Sequence, residues 1–285
     1  MRKLLVGIML LLSSIAVMSC SSEDNFNVDN DNYDEIINRG YIVVGMECAY
    51  APFNWTVSES NAFSSAVQIA DSNNFADGYD VMIAQAIADG LGVDLVIKAV
   101  DWNGLIPTLA VNGEIDLIIA GMSPTAERAQ TVAFSDGYYE STHVVVLRND
   151  SVFANATSIS DFEGANVVAQ LSTIYDDLVP QMTGVNHVNP LDDVPTIITG
   201  INQGTYDATI LELPVAIAVT ESNPNLTYIQ FTEGNGFDVS YEDRVVSIAL
   251  RQAEVTLLAE VNSILENISS ETRENYMLEA ISRQP

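Results

Sequence analysis

IDLIIAGMSPTAERAQTVAFSDGYY, residues 115–139, decides how this chain is read. Residues 115–120 form an apolar run interrupted by a single acid, Asp116, the pattern of a strand buried on both faces. Ser123 is a preferred N-cap and Pro124 a preferred first helical residue, so the strand should pass directly into a helix. Backbone N–H groups, the Ser123 hydroxyl and the Arg128 guanidinium would then converge on one small region, an arrangement suited to a carboxylate. The alternative is an ion pair of Arg128 with Glu127 or Asp136, because ten Lys plus Arg face thirty-nine Asp plus Glu in this chain.

Outward from this stretch, short apolar runs alternate with helix-period segments, the signature of α/β units with parallel strands. Residues 41–45 and 95–97 read as strands. Between them Gly78, Tyr79 and Asp80 open a helix with Val81, Ile83, Ala84, Ile87 and Ala88 on one face, ended by Gly90 and Gly92. Leu105, Ile106 and Leu109 mark a second helix. A similar set follows, with strands at 166–169 and 208–211 and helices beginning at Tyr175 and Pro214. Segments 142–147 and 245–250 read as strands crossing between the two sets, and residues 254–268 as an amphipathic helix. The fold class is therefore α/β, with two lobes, each a mostly parallel sheet flanked by helices, and two crossing strands as the hinge. A length of 285 residues suits two domains. A cleft between such lobes is where ligands favour binding.

Residues 1–19 have the form of an export signal: Arg2 and Lys3, then an apolar run over 4–17 that is too short to span a bilayer. Val17-Met18-Ser19-Cys20 resembles the bacterial lipobox, with Met18 where that motif has a small or branched residue. The resemblance implies that Cys20 becomes the lipid-modified first residue; the alternative is an ordinary signal peptide. Residues 20–38 would form an acidic tether. Cys48 is then the remaining thiol, and no intramolecular disulfide can form in the exported chain. The boundaries expected are 39–143 for the first part of lobe 1, 144–238 for lobe 2, and 239–285 for the hinge return and the rest of lobe 1. A formal charge of −29 repels phosphate backbones and anionic lipid heads, which argues against nucleic-acid binding. Adaptation to high salt is a further reading of the same excess.

The opening stretch, with YAPF at 50–53, GYD at 78–80 and DWNGLIPTL at 101–109, resembles the amino-acid-binding proteins of bacterial ABC transporters, solute-binding protein family 3. The resemblance runs over residues 40–285. It implies a type 2 periplasmic-binding fold that closes on a free amino acid, a monomer held at the membrane by its lipid outside the cytoplasm, and permease transmembrane subunits as partners. It implies that Arg128 grips the α-carboxylate and that Gly121 and Ser123 bind the ligand's backbone. Tyr50 and Trp102 match the pair that sandwiches the ligand side chain, a role suited to aromatic faces; core packing is their alternative. Gln170-Leu171-Ser172-Thr173 resembles a Gln-Leu-Gly-Thr motif whose threonine, Thr173 here, also meets the carboxylate, with Ser172 in place of the glycine. Glu212 stands where the family has an aspartate for the α-ammonium; a solvated carboxylate beside Pro214 is the alternative. Glu47 matches a position that contacts cationic side chains in relatives, which implies a Lys-, Arg- or ornithine-like ligand, or else an incidental acid.

With His143 and His187 the only histidines, no metal-ligand spacing occurs, nor does a nucleophile elbow or phosphate loop. No metal, cofactor or catalytic residue is therefore expected. Two other readings stay open: a cyclohexadienyl-type dehydratase, whose relatives share the carboxylate-binding residues, and a ligand-sensing subunit of a signalling system.

Overall fold

A computed structural model describes residues 31–59 and 63–284. The expected export signal at 1–19, the lipid attachment at Cys20 and the start of the tether lie outside the described residues. The tether itself ends earlier than residue 38. Tyr33–Arg39 is a helix closed by Gly40 in the left-handed region, and it buries Ile36 completely in the core. Burial of one isoleucine contributes about 1.5–3 kcal/mol, and Asn32 N donates to Glu254 Oε2 at 2.8 Å to fix the helix start. The acidic, asparagine-rich composition hid this apolar anchor.

The first sheet runs Asp94–Ala99, Tyr41–Met46, Leu117–Ile118, Val245–Arg251, Val132–Glu140. Its first three strands are parallel, and Val245–Arg251 is antiparallel to both neighbours. The second sheet repeats the scheme as Asn186–His187, Asn166–Val167, Ala208–Glu212, His143–Arg148, Leu226–Ile229. Here His143–Arg148 is the antiparallel fourth strand. In each sheet that fourth strand is the first one the chain enters after leaving the other sheet. The segments read as crossings are thus landing strands, and the crossing peptides lie just before them. Ser141 N donates to Arg244 O at 2.9 Å, so the two crossings run side by side. A small antiparallel sheet of Ala49–Tyr50, Asn54–Ser58, Asn74–Asp77 and Val67–Gln68 is appended to the first lobe.

All of residues 115–120 are buried, yet only Leu117–Ile118 joins the ladder. Asp116 explains the late start: its carboxylate accepts from Val43 N at 2.8 Å, pairs with Arg39 and faces Arg251 at 3.6 Å. The helix Tyr79–Leu91 follows the expected pattern. Gly90 lies inside it rather than at its end, because a Cβ there would meet the Ile264 side chain at 2.7 Å, where Val255–Asn267 packs across. The second expected helix is an irregular run, a 3₁₀ turn at Trp102–Gly104, an α turn at Leu105–Pro107 and a wide π turn at Thr108–Asn112, with Leu105 and Leu109 buried. A last helix, Ser270–Arg283, is capped by Ser269 and buries Met277 and Ala280. Among the described residues no helix is long and apolar enough to cross a membrane.

Candidate functional site

The site is assembled around one buried carboxylate. Asp80 Oδ1 accepts from Tyr138 Oη at 2.7 Å and Oδ2 from Asn54 Nδ2 at 2.8 Å. Asn54 Oδ1 in turn accepts from Cys48 N at 2.7 Å, and Gly121 N donates to Tyr138 Oη at 3.1 Å. The turn at Glu47–Cys48 with the hairpin bearing Tyr50, the start of the helix Tyr79–Leu91 and the turn at Gly121 are therefore tied to one another. Burial pushes the Asp80 carboxyl up to about 7. Gly121 has φ +60°, and a Cβ there would stand 3.2 Å from the Tyr50 ring, so this turn needs glycine for conformation and for space. Tyr50 stacks on Phe53 at 5.6 Å between centroids.

The helix start expected at Ser123–Pro124 is not formed. The Ser123 carbonyl is taken by Arg128 Nη1 at 2.8 Å and by Thr125 N at 2.9 Å, so it cannot begin a helical ladder. A single 3₁₀ turn begins later, at Arg128–Gln130, with Thr125 Oγ1 accepting from Arg128 N. No helix dipole therefore supports an anion at Ser123, and the attraction falls to Arg128. Its Nη2 donates to Ser172 O at 2.9 Å, across the cleft, and its Cζ lies 5.1 Å over the Trp102 ring. Among the described residues Arg128 forms no ion pair, so the alternative with Glu127 or Asp136 does not hold. Burial pulls the guanidinium pKa down.

From the second lobe, Ser172 adopts φ +60°, the left-handed conformation that a glycine takes without cost. Its carbonyl accepts from Trp102 Nε1 at 3.2 Å as well as from Arg128. Thr173 Oγ1 donates to Gln170 O at 2.7 Å, and Gln170 Nε2 reaches Glu47 Oε1 at 3.2 Å. Glu212 ends the strand Ala208–Glu212 at 3% exposure, which removes the reading of a solvated carboxylate. It accepts from Tyr50 Oη and Tyr175 Oη and has no basic partner among the described residues. Burial raises its pKa against the opposing hydrogen bonds of Tyr175 and Tyr50.

Glu47, Tyr50, Trp102, Gly121, Ser123, Arg128 and Thr173 all line the cavity at the lobe interface, Ser172 borders it through its carbonyl, and Glu212 stands behind Tyr50 and Tyr175. Gln170, Ile174 and Tyr175 complete the wall. The sequence marks Tyr175 only as a helix start, and nothing in its neighbourhood signals a bond to residue 212. The cavity holds about 20 Å³, room for about one water. A larger cavity of about 850 Å³ lies between the hinge and Ser270–Arg283 and shares no lining residue with this one. The cleft thus offers one guanidinium, aromatic faces, the half-buried Glu47 carboxyl and, behind Tyr50 and Tyr175, the buried Glu212 carboxyl, a set that complements a small zwitterion.

Two lobes of this strand order, joined by paired crossings over a polar cleft, define the two-lobed solute-binding class with the type 2 periplasmic-binding fold. The chain belongs to the bacterial extracellular solute-binding proteins, family 3, which it matches over residues 42–278. It is 26% identical over 228 residues to the arginine-binding extracellular protein ArtP of Bacillus subtilis (strain 168), covering 79% of each chain. It is 25% identical over 284 residues to the L-cystine-binding protein TcyJ of Escherichia coli (strain K12), covering 99% of this chain and 94% of that one. An amino acid ABC transporter substrate-binding protein from Streptococcus pneumoniae, solved with L-arginine, superposes with a TM-score of 0.75 at 26% identity, over 88% of this chain and 98% of that one.

Proposed function

We propose that this protein captures a free amino acid outside the cytoplasm and hands it to an ABC importer, with a cationic, arginine-like side chain preferred. The observation that carries this reading is Arg128: a guanidinium between Trp102 and the lobe interface whose hydrogen bonds go to neutral carbonyls. A carboxylate offers it two parallel bonds to an opposite charge in their place. Glu212, buried and without a cation, takes the α-ammonium, and Glu47 takes the side-chain cation. Likeness to ArtP and to TcyJ points to different guests, so the choice of a cationic ligand rests on Glu47.

In this reading the lobes are residues 33–142 with 239–285, and 143–238, moved from the expected bounds by the helix Tyr33–Arg39 and by the pairing of His143 with Glu212. Arg128 to Ser172, Gln170 to Glu47, and Tyr50 to Glu212 join them in the closed state. A cavity of about 20 Å³ admits no amino acid, so the lobes part, the ligand docks, and closure is favoured by contacts made only in the closed form. The chain works as a monomer, tethered through a lipid on Cys20 to the outer face of a membrane or within the periplasm, where the permease subunits meet the closed form.

A thermal-shift screen of the twenty amino acids, ornithine and cystine tests this, because a ligand bound only by the folded state raises the midpoint. Arginine, lysine or ornithine should give the largest shift. A screen without a hit would overturn the reading. The buried Glu212 carboxyl beside two phenols also suits a general acid on a leaving hydroxyl, the dehydratase reading. Loss of water and carbon dioxide from a prephenate-like cyclic acid would favour it; no turnover is expected.

A further inference from the structure

Glu47 does not meet the cleft alone. Gln170 Nε2 bridges Glu47 Oε1 at 3.2 Å and Asp192 O at 3.0 Å, which brings the second-lobe turn at 192–193 over the first-lobe carboxyl. Asp193 is fixed there as the N-cap of Val194–Asn202, its oxygens accepting from Thr196 N at 2.8 Å and Thr196 Oγ1 at 3.0 Å. Asp101, next to Trp102, supplies a third carboxylate from the first lobe. Cys48 adjoins Glu47 in the turn between the strands Tyr41–Met46 and Ala49–Tyr50, and Gln170 is the neutral donor facing Glu47. Among the described residues no Lys, Arg or His pairs with Glu47, Asp101 or Asp193. Nor is any carboxylate group among them arranged to hold a metal ion.

Resting on the amino-acid reading above, we infer that Asp193 is a further specificity-determining residue. Closure brings its charge towards Glu47 across the Gln170 bridge, so the closed cleft accepts a neutral ligand side chain only with a proton on Glu47 and a cationic one without it. Selectivity is therefore a property of closure, and pH sets its size. Burial first, then the charges of Asp193 and Asp101, push the Glu47 carboxyl up to about 7, with the Gln170 hydrogen bond opposing. A cation beside Glu47 lowers that value. The complex with a neutral ligand consequently carries one more proton below about pH 7 and loses affinity relative to the cationic complex as pH rises towards 7.

Arginine and citrulline separate charge from shape, since their side chains differ by a guanidinium against an uncharged urea group. Calorimetric titration of the full chain with each should give an arginine preference that rises about 30-fold from pH 5.5 to pH 8, the change expected for one proton leaving near pH 7. Asp193→Asn keeps the N-cap acceptor and so should fold. It should reduce that rise to less than tenfold, and Glu47→Gln should abolish it. An equal preference at both pH values, or an unchanged rise in Asp193→Asn, overturns the inference while leaving the amino-acid reading standing. Absence of binding by both compounds overturns the arginine-like preference and this inference with it, while the reading as an amino-acid binder falls only if the whole screen gives no hit.

Discussion

Replacing Arg128 by alanine tests the centre of the site. The side chain gives two hydrogen bonds, 2.8 Å to Ser123 O and 2.9 Å to Ser172 O, and covers the Trp102 face at 5.1 Å. A bound carboxylate would replace both neutral acceptors with anionic ones, hydrogen bonds to charged groups being worth about 1.5–3 kcal/mol each. Part of this is already spent on the carbonyls. Truncating one partner of a buried charge pair then costs about 2–5 kcal/mol of binding. At about 1.4 kcal/mol per tenfold this is a loss of about 30- to 4,000-fold in Kd. Arg128→Lys should fall between, because a point charge cannot make two parallel bonds. Calorimetry with arginine measures the loss, and circular dichroism with a melting curve establishes that the variant is folded. A folded Arg128→Ala variant that binds within twofold of the parent would refute the assignment of the carboxylate to this residue.

Three other outcomes follow from the same geometry. Ser172→Gly should raise stability by about 0.5–1 kcal/mol, since an L-residue at φ +60° carries a penalty of about 1–2 kcal/mol that glycine avoids at some entropic cost; an unchanged or lowered urea midpoint would count against strain there. Asp80→Ala should lose about 3 kcal/mol or more, because Asn54 Nδ2 and Tyr138 Oη are left without an acceptor in the core. Denaturant unfolding reads that loss, and a change under 1 kcal/mol would dissolve Asp80's role as the tie between the site loops. Glu47 holds a proton in the closed fold up to about pH 7 that the unfolded chain releases near its ordinary value of 4.5. Its contribution to stability is therefore full below about pH 4.5 and lost as pH rises through about 7. The ligand-free melting temperature should fall between pH 5 and 8, less steeply in Glu47→Gln; a rise over that range would contradict the burial of this carboxyl.

The architecture was legible because its signals are periodic. Continuous apolar runs at 41–45 and 208–211 and the spaced face of Tyr79–Leu91 depend on local chemistry, and the structure keeps them. The cleft residues were legible through their ordered motifs, and the structure brings Glu47, Tyr50, Trp102, Arg128 and Thr173 to one cavity. What escaped was decided by contacts distant in sequence. Ser123 and Pro124 satisfy every local rule for a helix start, but the Arg128 side chain claims the carbonyl that the helix needed. Glu212 finds its partners in Tyr50 and Tyr175, one of them from the other lobe, and no spacing announces either. Ser270–Arg283 is polar over most of its surface and buries only Met277 and Ala280, too little for an apolar pattern to stand out.

The strand order also governs how the chain can assemble. The second sheet is drawn from one continuous stretch, His143 to Ile229, and has all its strands once that stretch exists. The first sheet has a gap between Leu117–Ile118 and Val132–Glu140 until Val245–Arg251 arrives, pairing Val246 with Tyr139 more than a hundred positions earlier. Closing so long a loop is slow, and a strand waiting for its neighbour is an exposed edge. A chain emerging from its amino end would therefore complete its inserted lobe while the enclosing one still waits for its fourth strand. The half that is begun first is finished last, and a truncation short of residue 245 would strand Val132–Glu140 without a partner in its sheet.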